Sequence, residues 1–313
     1  MMFNLKIFAL IATSVALVMS APVKWAVAQD KTFTIGFPQD NMANDWRRAQ
    51  VMAVEAELSL HPSIKFVHSD AQGNTAKNIQ DIEDMVDRGI DLLIVSPRDS
   101  AAMTPVITQV RAQGIPVVLL TRRILTDDFT TFVSANDDKI ARRAAAYMAK
   151  EMNGEGSILV LQGVPTASTA IKRTTGFLEE IAKHENIKVV AVKPANYLRS
   201  EAIKMVEQAL DEGLAFDAIY AQSDSMASGA RLALKAANID PKSKLIVGID
   251  YIPEAREAIR AGEQNATFTY PTSGKEGAQL AVQILMGNAV SREIEVPSEM
   301  VTRANVEQVD TVF

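Results

Sequence analysis

The sequence predicts an α/β protein built from parallel sheets with helices on both faces. Short apolar runs alternate along the chain with stretches of helical periodicity, the rhythm of β-α-β units. The runs Leu92–Val95 and Val117–Leu120 are continuous rather than alternating, as in strands buried on both faces. A length of 313 residues holds roughly two domains.

Each element follows in order. Phe33, Ile35 and Phe37 alternate as in a strand. Asp45 is placed as the N-cap of a helix with Val51, Val54 and Leu58 at helical spacing. A strand at 64–67 precedes a helix carrying Ile79, Ile82 and Val86, which stops at Gly89. A helix then joins the strands Leu92–Val95 and Val117–Leu120. The rhythm restarts with a strand at 158–161, a helix at 167–183, a strand at 187–190 and a helix at 201–212. Next come a strand at 218–220 and a helix with Met226, Ala230, Ala233 and Ala237 on one face. A strand Leu245–Val247, a helix Pro253–Ala261, a short strand at 266–270 and a helix at 274–286 complete the series. No Gly/Ser-rich linker divides the two halves; the most polar join is 134–139. The last helix and tail have no obvious sheet of their own and are free to return to the first half.

Residues 1–28 read as a secretory signal: Lys6, an apolar run over 7–19, and the small-x-small site Ala26-Val27-Ala28, which puts the processed start at Gln29. The apolar run is shorter than the ~20 residues that span a bilayer. Removing 1–28 takes away Lys6 and Lys24 and no acid, so the net charge moves from −6 to −8. Such a charge disfavours nucleic acid as a partner. The processed chain keeps Trp46 as its sole tryptophan. Cysteine is absent, which excludes disulfides, thiolate metal sites and cysteine nucleophiles.

Enzyme signatures are missing. There is no G-x-G-x-x-G after a strand, no P-loop, no G-x-S-x-G and no S-x-x-K. Gly154-Glu155-Gly156 reads as the turn before a strand. The histidines His61, His68 and His184 have no partners at metal-ligand spacing, and only His68, at a strand end, leaves a ligand role open. No catalytic residue, metal site or cofactor is expected.

In open α/β sheets, ligands bind beyond the carboxyl ends of the strands. The residues there are Asn44, Trp46 and Arg47; Thr121, Arg122 and Arg123; Arg173; Asn196 and Tyr197; Ser223 and Asp224; Asp250; and Tyr270. Aromatic faces stack on the C–H face of a sugar ring, and Arg and Asp make charge-assisted hydrogen bonds to vicinal hydroxyls. Other readings stand beside this one. Asp224 also fits a helix N-cap, Asp250 an ion-pair partner of an arginine, and Trp46 a core residue. Arg48 and Arg123 read as surface residues.

Several stretches, in order and spacing, resemble one family: Thr34-Ile35-Gly36-Phe37, Gly89-Ile90-Asp91-Leu92-Leu93-Ile94-Val95-Ser96-Pro97, Gly114-Ile115-Pro116-Val117-Val118, Leu161-Gln162-Gly163, Ala221-Gln222-Ser223-Asp224-Ser225-Met226-Ala227 and Val247-Gly248-Ile249-Asp250. Over about 31–300 the chain is similar to the periplasmic sugar-binding proteins of ABC importers, in the group of the ribose-, galactose- and galactofuranose-binding proteins, with the type I periplasmic binding fold. The resemblance implies two similar α/β domains joined by a three-stranded hinge, with the ligand cleft between them. Residues 29–136 plus 271–298 would form one domain and 137–270 plus 299–313 the other. It implies ligand positions at Asn44, Trp46, Arg47, Arg122, Arg173, Tyr197, Asp224 and Asp250. Thr121, Ser223 and Tyr270 depart from the family's usual Asp, Asn and Gln, and complete the candidate set. The loss of an acid at Thr121 raises the expectation of an anionic ligand such as a sugar acid, against a neutral sugar or polyol.

The function implied is a periplasmic, monomeric receptor that hands a sugar, polyol or sugar acid to a membrane ABC permease. The alternative is a sensor that presents its closed state to a membrane kinase or chemoreceptor. A sugar-responsive transcription regulator is disfavoured by the export signal and the lack of a helix-turn-helix segment, and a carbohydrate enzyme by the missing motifs.

Overall fold

The computed structural model describes residues 31–313; the expected export signal at 1–28 lies outside the described residues. The first half of the chain runs β1 (Phe33–Gln39), α1 (Asp45–Leu58), β2 (Ile64–Asp70), α2 (Thr75–Asp87), β3 (Leu92–Val95), α3 (Ser100–Ala112), β4 (Val117–Leu120) and β5 (Thr131–Ser134). The second runs α4 (Asp137–Glu151), β6 (Glu155–Gln162), α5 (Ser168–Ile181), β7 (Asn186–Pro194), α6 (Arg199–Asp211), β8 (Ala218–Ala221), α7 (Asp224–Ala236), β9 (Leu245–Val247), α8 (Pro253–Ala261) and β10 (Ala266–Phe268). The chain ends with α9 (Gly274–Leu285), β11 (Glu293–Glu295) and β12 (Met300–Thr302).

Two six-stranded sheets result, in the orders β11-β5-β4-β3-β1-β2 and β12-β10-β9-β8-β6-β7. All named strand pairs are parallel except β10 with β12. Register is set where both faces are covered: Leu93 lies opposite Val117 and Ile94 opposite Val118, and all eight residues of β3 and β4 are buried. In β1 every residue from Ile35 to Gln39 is buried, because the strand lies between β2 and β3 and is covered on both faces. Gly36 lets Met85 and Ile90 pack close to the strand, since a Cβ would stand 2.9 Å from the Met85 sulfur and displace it.

The helix ends follow local chemistry. Asn44, not Asp45, caps α1, with its side chain accepting the Arg47 N–H; Asp45 is the first helical residue. Helix α2 ends in a Schellman turn: Gly89, at φ 79°, donates to the Val86 carbonyl, and Ile90 donates to that of Met85. On α7, Met226, Ala230 and Ala233 are buried but Ala237 is exposed as the C-cap.

Four elements had no counterpart in the expected series: β5, α4, β11 and β12. Strand β6 also starts at Glu155, inside the segment read as a turn. The chain passes between the sheets three times, between Ser134 and Asp137, between Phe268 and Gly274, and between Glu295 and Met300. The first passage leads into α4, whose Ala141, Ala144, Ala145 and Met148 are buried with Ile158 and Phe177 in one core. The second leads into α9. There Gly274 allows close approach to α1, because a Cβ would meet the Gln50 carbonyl at 2.7 Å.

Candidate functional site

The carboxyl ends of both sheets converge on a small, tightly closed cavity. From the first sheet, the start of α1 supplies Asn44, Trp46 and Arg47. From the second come Thr169 and Arg173 on α5, Tyr197 before α6, Ser223 at the α7 cap, Asp250 after β9 and Tyr270 after β10. Thr121, Arg122 and Asp224 stand behind this lining. Thr169 was absent from the candidate set, although it sits at a helix start beyond a strand end.

The α1 side is built around a buried charge cluster. Arg47 is 7% exposed. Its Nη1 donates to Ser96 Oγ at 2.7 Å, Gln50 Oε1 at 3.3 Å and Thr121 Oγ1 at 3.4 Å. Its Nε lies 3.6 Å from Asp40. Asp40 also receives Arg122 Nη1 at 2.9 Å and Arg98 Nη1 at 3.5 Å. Burial opposes ionisation of Asp40, but the charges of Arg122, Arg47 and Arg98 outweigh it and hold its carboxyl below the usual value. Burial, with Arg122 beside it, brings Arg47 down to about 10, so the guanidinium stays charged at neutral pH. Thr121 has φ 62°, unusual for a β-branched residue, and its turn leads the chain directly into Arg122.

The opposite side pairs Arg173 with Asp137. Arg173 is 3% exposed and donates from Nε to Asp137 at 2.7 Å and from Nη1 to the Gln222 carbonyl at 2.5 Å. Burial disfavours its charge, but Asp137 and the surrounding acidic groups outweigh this and hold it well above its ordinary value. Its guanidinium lies 4.4 Å from the centre of the Tyr270 ring, within cation–π range. Asp250 faces the cavity with no ion-pair partner among the described residues. Burial pushes its proton affinity well up, opposed by Arg173 and reinforced by Asp224.

The aromatic residues sit between these charges. Trp46 is 3% exposed, donates Nε1–H to the Tyr270 carbonyl at 2.8 Å and belongs to the core while also lining the cavity. Tyr197 has φ 63° after Asn196 at φ 54°, and its ring covers Gly163, where a Cβ would come within 2.0 Å. Arg122 reaches this ring from the first sheet's side, 5.5 Å from its centre. Of the residues read as surface groups, Arg48 pairs with Asp45, and Arg123 pairs with Asp127 and Glu293.

Residues 35–289 match the periplasmic binding protein domain. The chain belongs to this family. A ribose import binding protein of Bacillus subtilis is 29% identical over 288 residues, which cover 90% of this chain and 92% of the relative. Among solved structures, an ABC transporter solute-binding protein of Bacillus halodurans with bound myo-inositol superposes with a TM-score of 0.84 at 29% identity, covering 90% and 98% of the two chains. The fructose-binding periplasmic domain of a hybrid two-component system gives 0.83 at 31% identity, covering 88% and 92%. These are binding proteins, and the chain shares their two-sheet architecture.

In this periplasmic binding protein, two carboxylates near the cavity escaped the sequence reading. Asp40 lies just beyond β1, which runs to Gln39, two residues past the expected alternation ending at Phe37. Asp137 opens α4, a helix the series did not contain. Asp40 places an acid against Arg122 despite Thr121, so Thr121 does not leave the arginines without a counter-charge.

Proposed function

We propose that this chain is an exported receptor for a neutral sugar or polyol, which it captures between two lobes and delivers to a membrane ABC permease. Residues 29–136 plus 271–298 act as one lobe and 137–270 plus 299–313 as the other, with the processed chain beginning at Gln29 and working as a monomer. The observation that carries the reading is a cavity shared by both sheets, with Asn44, Trp46 and Arg47 facing Arg173, Tyr197, Asp250 and Tyr270. A ligand contacted from both sides favours closure, because only the closed state makes both sets of contacts.

Charge supports a neutral ligand. The arginines around the cavity already have buried acids beside them: Arg47 and Arg122 share Asp40, and Arg173 holds Asp137. Ribose and myo-inositol, named for two of the relatives, are neutral polyhydroxylated rings. The fructose-binding domain of a two-component system favours, as a second reading, presentation of the closed state to a membrane sensor.

The test is selectively excited tryptophan fluorescence of the chain from Gln29 onward, which comes from Trp46 alone. Titration with D-ribose, D-fructose and myo-inositol is expected to give a saturable change with one of them. Tighter binding of D-galacturonate than of D-galactose would restore the acidic ligand. No response to any compound, with an unshifted melting temperature, would sink the carbohydrate reading.

A further inference from the structure

Asp224 has no exposed surface and does not line the cavity, yet its carboxylate is surrounded by donors from three segments. Oδ2 accepts the Tyr251 N–H at 2.7 Å and the Thr267 hydroxyl at 2.7 Å; Oδ1 accepts Gln264 Nε2 at 2.7 Å. Gln264 is held in turn by Arg231. The contact requires Gly248, where a Cβ would stand 1.9 Å from Asp224 Oδ1.

The donor at Tyr251 matters most, because it belongs to a strained turn. Asp250 and Tyr251 have φ 121° and 58°, two successive non-glycine residues with positive φ. This turn delivers the Asp250 carboxylate to the cavity. We propose that Asp224 is a positioning residue for Asp250: its carboxylate fixes the Asp250–Tyr251 turn and thereby the aim of the acid that faces the ligand. The inference rests on the ligand-capture reading of the cavity. Other anchors hold the turn's remaining sides. The Asp250 N–H donates to the Phe268 carbonyl at 2.8 Å, and the Tyr251 hydroxyl donates to the Val306 carbonyl at 2.9 Å. Among the described residues, only Asp224 receives the Tyr251 N–H.

The test is calorimetric titration of the processed chain with D-ribose, D-fructose and myo-inositol. Asp224→Ala is expected to lower affinity for the bound compound by about tenfold or more, the loss typical of a hydrogen bond to a charged group. Gly248→Ala, which drives the carboxylate from its seat while keeping it in the protein, is expected to act in the same direction. In an Asp250→Asn background, Asp224→Ala is expected to change affinity by less than about twofold, since the positioned group is already gone. Wild-type affinity in both Asp224→Ala and Gly248→Ala overturns the proposal. So does an equal loss with and without the Asp250 carboxylate, which is the mark of a merely structural role. If wild type binds none of the three compounds, the carbohydrate reading fails, and amide exchange decides the positioning role by itself. Faster exchange at Tyr251 in Asp224→Ala then supports it, and unchanged protection overturns it.

Discussion

Asp224 is also one of the buried acids through which pH should act on stability. Burial, the largest influence, raises its pKa from 3.8 to about 6, although Thr267, Gln264 and Tyr251 stabilise the charged form. The folded state therefore holds this proton more tightly than the unfolded chain. Its contribution to stability falls as pH rises from about 4 to about 6, by about 3 kcal/mol, and stays low above that. Asp224→Asn removes the titration, so the variant should gain on wild type as pH rises through that window. Thermal melts of both proteins at pH 4, 5, 6 and 7 check this, and a constant difference in melting temperature would count against it. Arg173 yields a second prediction. Its Nε serves Asp137 while its Nη1 serves Gln222, and a lysine amine cannot reproduce that fork. Arg173→Lys should therefore lower ligand affinity by about tenfold, as for a lost charge-assisted hydrogen bond; wild-type affinity in a titration would show that charge alone suffices. These residues differ in how legible they were. Arg173 could be read from its place after a strand. The position of Asp224 behind Asp250 could not, because the donors that claim its carboxylate come from Tyr251, Gln264 and Thr267, up to 43 residues away.

The start of α1 joins local folding to the site. Asn44 does two jobs with one amide: its Oδ1 accepts the Arg47 N–H as the helix cap, and its Nδ2 donates to the Tyr197 carbonyl at 2.7 Å. The two can be separated. Asn44→Asp keeps a capping oxygen but sets a carboxylate against the Tyr197 carbonyl, whereas Asn44→Ala loses both. Asn44→Ala should cost about 1 kcal/mol of stability and ligand affinity as well. Asn44→Asp should lose affinity while keeping most of the stability. Denaturant melts beside titrations check this, and equal stability loss in the two variants would remove the capping role. At this scale the sequence was readable wherever periodicity was strong. Strands β3, β4 and β9 and helix α8 start and stop where expected. Helix α4 was missed although Ile140, Ala141, Ala144, Ala145, Met148 and Ala149 lie buried at helical spacing, because the polar stretch 134–139 that leads into it was read as a join between the halves. Strand β5 has four residues and β11 and β12 three each. Sheet pairing with distant strands fixes such short segments, and local pattern does not.

Across the whole molecule, bonds around the cavity tie one sheet's side to the other. Besides Asn44 and Tyr197, the Ser100 N–H donates to the Thr166 carbonyl at 3.1 Å and the Arg123 N–H to Ser168 Oγ at 2.8 Å. On the α1 edge, Arg199 forms an ion pair with Asp45 at 3.3 Å. Glu254, 2.6 Å from the same guanidinium on its own side, holds Arg199 in place. An arginine already fixed on one lobe loses little further freedom when it meets Asp45, so the pair should act as a latch that slows reopening. Its strength is bounded by exposure, since both side chains are more than a third exposed. A pair of that kind contributes roughly 0.2–1 kcal/mol, up to about fivefold in rate. Arg199→Ala should therefore raise the dissociation rate by up to about fivefold and leave the association rate nearly unchanged. Salt separates this from a general loosening of the fold. Raising ionic strength screens exposed pairs, so wild-type dissociation should accelerate towards the rate of the variant, while the variant should respond less. Stopped-flow measurements on both proteins at low and high salt test this. Parallel salt responses would show that Asp45 and Arg199 meet without governing closure, leaving the cavity contacts and the Asn44 amide to hold the lobes together.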